Sequence, residues 1–596
     1  LPQRIEDYAL IGDLHTAAMV GKDGSIDWLC LPRFDSAACF AAMLGDDSAG
    51  RWRLAPATGD KCTSRQYRGH SLILETVWDT TDGSVRVIDL MPPRDDVADI
   101  VRIVEGISGT VTMRMDLALR FDYGSIVPWV RNRDGMLEAI AGPDAVWLRT
   151  PVDLAGEDMQ TTATFTVSAG DRVPFVLTYA PSNGATPRVI DAERALIDTE
   201  SYWNEWIARA DVDGPWADEI RHSLVLLKAM TYAPTGGLVA AATTSLPEQI
   251  GGPRNWDYRY CWLRDATFTL RALLDTGYRS EAGAWRDWLL RAIAGDPADL
   301  QIMYAIDGTR RLTEYEVPWL SGYEGSKPVR IGNAASEQLQ LDVWGEVLDS
   351  LHLSRMRGLD ADDHAWDLQR ALLDYLESNW SDNDSGLWES RGPERPYVHS
   401  KVMAWVGMDR AVQAVERFGL DGPVDQWRRT RQVIHDEVTT KGFDADRGTF
   451  TQFYGSHGLD AALLLIPEVG FLPYTDERVI GTVKAIDRDL SQDGFTLRYD
   501  PRADGGADGL PGEEGSFVAC SFWMVNALCG IGEWDEAETR FKRLLSLRND
   551  VGLISEEYDA TAHRQLGNTP QAYSHVGLVN CAQNLSKRPT NSPRSK

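Results

Sequence analysis

Disulfides, structural zinc, positive charge and long apolar runs are all in short supply in this sequence. Seven cysteines stand at 30, 39, 62, 261, 520, 529 and 581. The count is odd and no CxxC or Cys/His cluster occurs, which argues against a disulfide framework and against a structural zinc site. Buried free thiols in a reducing compartment are the simpler reading. Lysine and arginine number 60 against 89 acidic residues, a net charge of −29. That balance argues against nucleic acid, whose phosphates demand basic partners, and suits solubility with a neutral or cationic ligand. No uninterrupted apolar stretch approaches the length of a membrane span, so no membrane partner is expected. The chain opens Leu-Pro-Gln-Arg-Ile-Glu-Asp-Tyr, with no basic start followed by an apolar run. A secretory leader is therefore not expected and a cytoplasmic location is, although the missing initiator Met leaves a trimmed start open.

At 596 residues the chain is too long for one ordinary core, so two or more domains are expected. Residues 1 to about 190 alternate with period two, as in Ser71–Trp78, Val85–Leu90 and Thr110–Leu117, with turn signals such as Thr81-Asp82-Gly83 between runs. This pattern predicts an antiparallel β-sandwich. A linker helix is expected over 191–215, where Ala192–Glu200 runs into Tyr202-Trp203-Asn204-Glu205-Trp206. Over 216–590 the period turns helical, with about twelve segments from 217–233 to 570–586, one of them near 457–466. Twelve helices with short connections suggest six hairpins closed into a ring, an (α/α)6 barrel. Glycine-bearing loops recur between them, among them Asp384-Ser385-Gly386-Leu387-Trp388, Gln492-Asp493-Gly494-Phe495-Thr496 and Asp550-Val551-Gly552-Leu553-Ile554. Such loops are expected on one rim, where a rigid scaffold can hold a binding site.

The densest chemistry lies in Asn255-Trp256-Asp257-Tyr258-Arg259-Tyr260-Cys261-Trp262-Leu263-Arg264-Asp265, which runs into the apolar helix 266–274. Flat aromatic faces beside polar groups that can bond in pairs suit a sugar ring. A helix N-terminus with aromatic core anchors would have the same spacing. The segment from Asp257 to Asp265 resembles the D-Y-x-Y-x-W-x-R-D stretch of the glucoamylase-type inverting glycoside hydrolases (glycoside hydrolase family 15), which include glucoamylases, glucodextranases and some bacterial trehalases. The run Asp23–Ser36 is similar to the front domain of the bacterial trehalase-like branch. The resemblance implies the helical barrel as the fold. It also implies that Arg264 and Asp265 grip hydroxyls of a terminal glucose, with Tyr258 and Trp262 lining the same subsite.

Glycosidic hydrolysis by inversion needs one carboxyl group to protonate the leaving oxygen and another to activate water, about 6.5–9.5 Å apart. The acid must keep its proton near neutral pH, which favours a partly buried carboxyl among aromatics. Glu389 in Leu387-Trp388-Glu389 matches the position where the family has its general acid. Glu556 in Ser555-Glu556-Glu557-Tyr558-Asp559 matches the position of the base, with Glu557 as a neighbouring alternative. Ser390 stands where glucoamylases often carry a second Glu. Glu346 in Asp342-Val343-Trp344-Gly345-Glu346 imitates the acid motif inside an amphipathic helix and reads as structural or as an outer-subsite residue. Weaker candidates for holding the sugar are Glu514, which opens a helix after the Gly/Pro/Asp-rich loop 502–512, and Arg391, His399 and Lys401 beside the acid loop. Arg395 reads equally well as surface charge. Trp388, Trp319, Tyr323 and Tyr558 are candidate sugar-contacting aromatics, although with 21 tryptophans most must be core.

The expected activity is an inverting, exo-acting hydrolysis of a small α-glucoside that releases β-glucose, most simply from α,α-trehalose. Glucoamylase-type action on malto- or isomalto-oligosaccharides is the near alternative. A non-catalytic carbohydrate-binding protein on a hydrolase scaffold would have lost a catalytic Glu, and a phosphorylase would have replaced the base. Neither loss is seen. No cofactor and no metal are expected, and a homo-oligomer is left open.

Overall fold

The computed structural model describes residues 2–588 apart from 60, 134, 360–362 and 504–507. Part of the expected 502–512 loop, the first residue of the helix expected at 362–380 and the last two residues of the expected barrel therefore lie outside the described residues.

The front part is antiparallel throughout, from Tyr8–Gly12 to Arg172–Pro181. Its organiser is the long strand Ala98–Ala118. The first half pairs with Gly83–Leu90 and Arg172–Pro181. The second half pairs with Arg51–Pro56 and Gln160–Ser168, so two antiparallel sheets share one strand. Alternation sorts its side chains as the period predicts. Ile100 and Val104 enter the main core, while Val101 and Ile103 pack with Ala192 and Leu196 of helix α1, Ala192–Ile207. Asp191 caps that helix by accepting the Arg194 N–H at 2.8 Å.

Beyond α1 come α2 (Ala217–Ala229), α3 (Ala266–Asp275), α4 (Arg279–Ala292), α5 (Asp342–Met356), α6 (Asp363–Asn379), α7 (Val398–Phe418), α8 (Val424–Lys441), α9 (Glu477–Asp489), α10 (Val518–Gly530), α11 (Trp534–Leu545) and α12 (Ala572–Ser586). The segment expected as a helix near 457–466 is a 3-10 helix, Ala461–Leu465. Pro467 follows closely, and Asp460 holds the Ala462 N–H at 2.8 Å, which limits the segment to a short turn. Neighbouring contacts run α3–α5–α7–Ala461–Leu465–α10–α12 and back to α3, which closes an inner ring of six. The other six helices pack outside it. Burial follows from position. Val518–Cys529 of α10 is buried almost residue by residue, whereas outer α11 buries only the stripe Ala537, Phe541, Leu544 and Leu545. Inner helices α5 and α7 approach closely because a Cβ at Gly345 would run into the Met403 carbonyl.

Connection length alternates around the ring. Inner-to-outer links are short, such as 276–278 and 419–423. Outer-to-inner links are long: 230–265, 293–341, 380–397, 442–460, 490–517 and 546–571. All six long loops therefore emerge on one rim. The front domain is joined to this rim through Trp28, whose Nε1 donates to the Ala242 carbonyl at 2.9 Å, and through Arg65, paired with Asp550 at 2.7 Å. Among the described residues no helix is long and apolar enough to cross a membrane.

Candidate active site

Five of the six long loops contribute side chains to one pocket. Loop 230–265 supplies Ala240, Glu248, Trp256, Tyr258, Trp262 and Arg264, and loop 380–397 supplies Trp388, Glu389 and Arg391. Asn333, Arg498, Glu556 and Gln571 come from the others.

Trp262 belongs to a short strand, Cys261–Trp262, paired with Met303–Tyr304. The helix starts only at Ala266. This leaves Trp262 on the rim, where its Nε1 donates to Glu389 Oε1 at 2.6 Å and its ring meets Tyr258 edge-on at 5.1 Å. Arg264 reaches Asp265 at 2.8 Å and the same Glu389 oxygen at 3.5 Å. Asp265 is buried and is not part of the pocket wall. It orients Arg264, which is.

Glu389 sits at φ 61°, in the left-handed region. That conformation costs a residue with a Cβ about 1–2 kcal/mol. It is held by the Glu389 N–H on Gly386 O and the Ser390 N–H on Ser385 O, both 3.1 Å. Burial raises the Glu389 pKa above the ordinary carboxylate range, against the opposing pull of Arg264 and of the Trp262 bond. A proton is therefore retained here longer than on an exposed Glu.

Glu556 lines the same pocket, 1% exposed. Its Oε2 accepts the Asn568 N–H at 3.4 Å, and its Oε1 is buried without a protein partner. Burial raises its pKa, Glu248 adds to the rise, and Tyr258, Arg498 and Asn568 work against it. Gly567 packs against this carboxylate at φ 72°, and a Cβ there would run into Glu556 Oε2. Glu557, the neighbouring alternative, faces elsewhere. It accepts the Gly515 N–H at 2.7 Å and sits with Arg498, Glu248 and Glu514.

Other expected sugar contacts take different places. Glu514 bonds Arg254 at 2.9 Å and Arg498 Nε at 3.0 Å, so it steadies Arg498 instead of lining the wall. Lys401 stands outside the pocket, which corrects its expected place: Nζ donates to the Trp380 carbonyl at 2.9 Å and to that of Asp382, at the C-terminal end of α6. Tyr558 also stands outside it. Strand alternation turns its ring away from Glu557, toward Phe495 and His563. His399 is buried in α7, its pKa lowered to about 3 by burial and by Arg264, so it is neutral. Glu346 is buried inside α5, and Tyr323 is buried while Trp319 is half exposed. Trp388 lines the wall, with Nε1 on Asp460 at 2.8 Å and its ring against Trp523.

Sequence reasoning missed Glu248, Asn333 and Arg498 and did not single out Trp256, which stood inside the quoted motif. Arg498 lies two residues after the recurrent Gly494-Phe495-Thr496 loop, and that offset was its available signal. Glu248, Glu514 and Glu557 bring carboxylate oxygens within 4.8 Å of one another. Arg498 and Arg254 supply the counter-charge there, which makes the cluster an ion-pair network.

Known proteins resemble this chain in sequence and in fold. Residues 217–583 match Glycosyl hydrolases family 15, and residues 2–203 match Trehalase-like, N-terminal. A trehalase of Mycobacterium tuberculosis is 38% identical over 97% of this chain and 88% of its own length. A trehalase of Thermoplasma volcanium is 33% identical over 98% of this chain and 94% of its own length. A bacterial glucoamylase crystallised with acarbose superposes with a TM-score of 0.73, at 13% identity, covering 98% of this chain and 94% of the other. That last likeness establishes the fold: an antiparallel β domain followed by the (α/α)6 barrel.

Proposed function

The chain belongs to the glycosyl hydrolases of family 15, and from that premise we propose that it hydrolyses α,α-trehalose with inversion, Glu389 acting as general acid and Glu556 as general base. The reading is carried by one observation: two glutamates 167 positions apart, 556 minus 389, line a single pocket with Tyr258, Trp262 and Arg264. The full-length match to trehalases supports the choice of substrate.

One glucose enters against Tyr258, Trp262 and Trp388, with hydroxyls on Arg264. Glu389 gives its proton to the glycosidic oxygen. The charge left on Glu389 is met by the Trp262 N–H and by Arg264, both already in place. Glu556 takes a proton from a water on the opposite face through its unpaired Oε1, and the water oxygen bonds to C1 as the C1–O bond breaks. β-Glucose and the second glucose leave, and the proton count balances. Its raised proton affinity makes Glu556 a strong base once ionised, and the Tyr258 hydroxyl, Asn568 N–H and Arg498 favour that ionised form.

Glucose release from trehalose, maltose, isomaltose and soluble starch tests the substrate. Proton NMR before mutarotation tests the mechanism. Trehalose turnover giving β- and α-glucose in equal amounts before mutarotation is the expected result, because the leaving glucose keeps its α configuration, and α-glucose alone would replace inversion by a double displacement. The seven cysteines are all free and six are buried, which supports a reducing compartment such as the cytoplasm.

A further inference from the structure

The pocket has a second wall that the proposed chemistry does not use. Trp256, the residue before Asp257, lies under two guanidinium groups. The Arg391 Cζ is 4.4 Å from its ring centroid and the Arg330 Cζ is 4.6 Å away. Both arginines share one carboxylate. Glu314 pairs with Arg391 at 2.9 Å and with Arg330 at 3.6 Å. Trp256 Nε1 donates to Glu248 Oε1 at 3.0 Å, and the Trp256 carbonyl accepts from Asn568 Nδ2 at 2.9 Å, the residue whose N–H holds the base. Glu314 also accepts the Ala334 N–H at 3.1 Å, between Asn333 and Ala335, both of which line the pocket. The Arg391 N–H is fixed to the Asp508 carbonyl at 2.8 Å, which seats the acid loop against the loop that carries Leu510.

This is a stiff wall. Its indole is covered by cations and so offers no open stacking face to a chain of sugars. It presents the Arg391 guanidinium as a donor, beside an Asn333 amide held by the Asp257 carbonyl and the Ala335 N–H, which suits a ring edge bearing hydroxyls. Arg391 follows the proposed acid Glu389 by two residues in the same loop, which ties this end of the wall to the leaving oxygen.

We propose that Arg391, Trp256 and Asn333 form the binding wall for the leaving sugar, and that Arg391, clamped by Glu314, closes the pocket behind a second ring so that a disaccharide is preferred to a longer chain. The proposal rests on the trehalose reading for the identity of that second ring. Arg391 is a specificity residue. Lysine cannot replace it, because the fork that holds Glu314 at two points and the flat face over Trp256 are both properties of guanidinium.

The test compares kcat/KM for the parent, Arg391→Ala and Arg391→Lys on trehalose, maltotriose and an aryl α-glucoside, whose apolar leaving group needs no hydroxyl partner. The expected result is a loss on trehalose at least tenfold greater than on the aryl glucoside, carried mostly by KM, and a maltotriose-to-trehalose ratio raised at least tenfold. Arg391→Lys should lie nearer to Arg391→Ala than to the parent. Equal losses on all three substrates, or an unchanged maltotriose-to-trehalose ratio, would overturn the proposal. Glu314→Gln, which releases the clamp without touching the wall itself, should shift the ratio in the same direction. If the parent releases no glucose from trehalose, the function reading fails. The leaving-side wall then stands or falls on whether these variants shift the ratio of maltotriose to the aryl glucoside.

Discussion

Residue by residue, the site is a balance of burial against bonds to the charged form. Burial raises the proton affinity of Glu389 by more than Arg264 and the Trp262 bond lower it. Glu389→Gln preserves the shape and the Trp262 bond but removes the proton, so kcat on trehalose should fall by about 10²–10⁴ with KM little changed. Steady-state kinetics checks this, and near-parent turnover would remove Glu389 from the acid role. Gly567 gives a second, less obvious prediction. Alanine there adds a Cβ into Glu556 Oε2 at a φ of 72°. The left-handed backbone alone costs alanine about 1 kcal/mol. Displacing the base should reduce kcat at least tenfold on trehalose and on an aryl glucoside alike, since every substrate needs the same activated water. A variant with the parent's kcat would mean that Glu556 tolerates displacement, which a base aimed at one water does not.

At the scale of elements, alternation of long and short connections builds the site. Each outer-to-inner loop ends at the start of a buried helix, so its side chains are delivered over the ring's axis. Lys401 belongs to the scaffold side of this arrangement. Its ammonium holds the carbonyls of Trp380, at the end of α6, and of Asp382 in the turn that follows. Lys401→Met should therefore destabilise the protein, by about 1–3 kcal/mol for lost hydrogen bonds from a charged group, and leave the trehalose KM at the parent value. Thermal melts and kinetics together decide it. A raised KM with an unchanged melting temperature would return Lys401 to the sugar. The front domain acts at the same scale, through Arg259. This fully buried side chain, next to Tyr258 in sequence, bonds Asp257 at 2.7 Å, the Ser36 carbonyl at 2.8 Å and the Tyr123 hydroxyl at 3.0 Å. Deleting residues 1–190 removes its Ser36 and Tyr123 partners and uncovers the rim surface that Trp28 and Arg65 cover, so the separated barrel should be insoluble or inactive. A soluble fragment with full activity would show the two parts to be independent.

The whole molecule carries an unusual number of carboxyls that prefer to stay protonated. Burial pushes Asp27, Asp99, Asp384 and Asp460 up to about 6 and Asp342 up to about 7. In the unfolded chain such groups ionise near pH 4. Between about pH 4 and pH 7 the folded state therefore holds more protons than the unfolded one, and stability falls as pH rises. Self-repulsion in a chain of net charge −29 acts in the same direction. Glu281, lowered to about 2 despite its burial by bonds from Ser280 and Trp206 and by Lys228, contributes the other way, but only below about pH 4. The melting temperature should accordingly be higher at pH 5 than at pH 8. A melting temperature that rises from pH 5 to pH 8 would contradict this. Asp342→Asn, which removes a buried carboxylate with neither oxygen partnered, should narrow the difference.

Taken by itself, the sequence determined the kinds of chemistry and the local periods. Period two between 71 and 117 meant strands, the shift near 190 meant helices, and Leu387-Trp388-Glu389 and Ser555-Glu556 supplied carboxyls in recognisable settings. Such features are legible because a strand or helix relates each residue to neighbours only a few positions away. Tertiary structure decided everything that depends on ring closure. It chose Glu556 over Glu557 for the pocket wall by the facing of one short strand, sent Lys401 to a helix end, and shortened the expected helix at 457–466 to a single 3-10 turn. It also brought Trp262 to Glu389 across 127 positions and Arg254 to Glu514 across 260. No local spacing encodes those distances, because they are set by how six loops of different length meet over one axis.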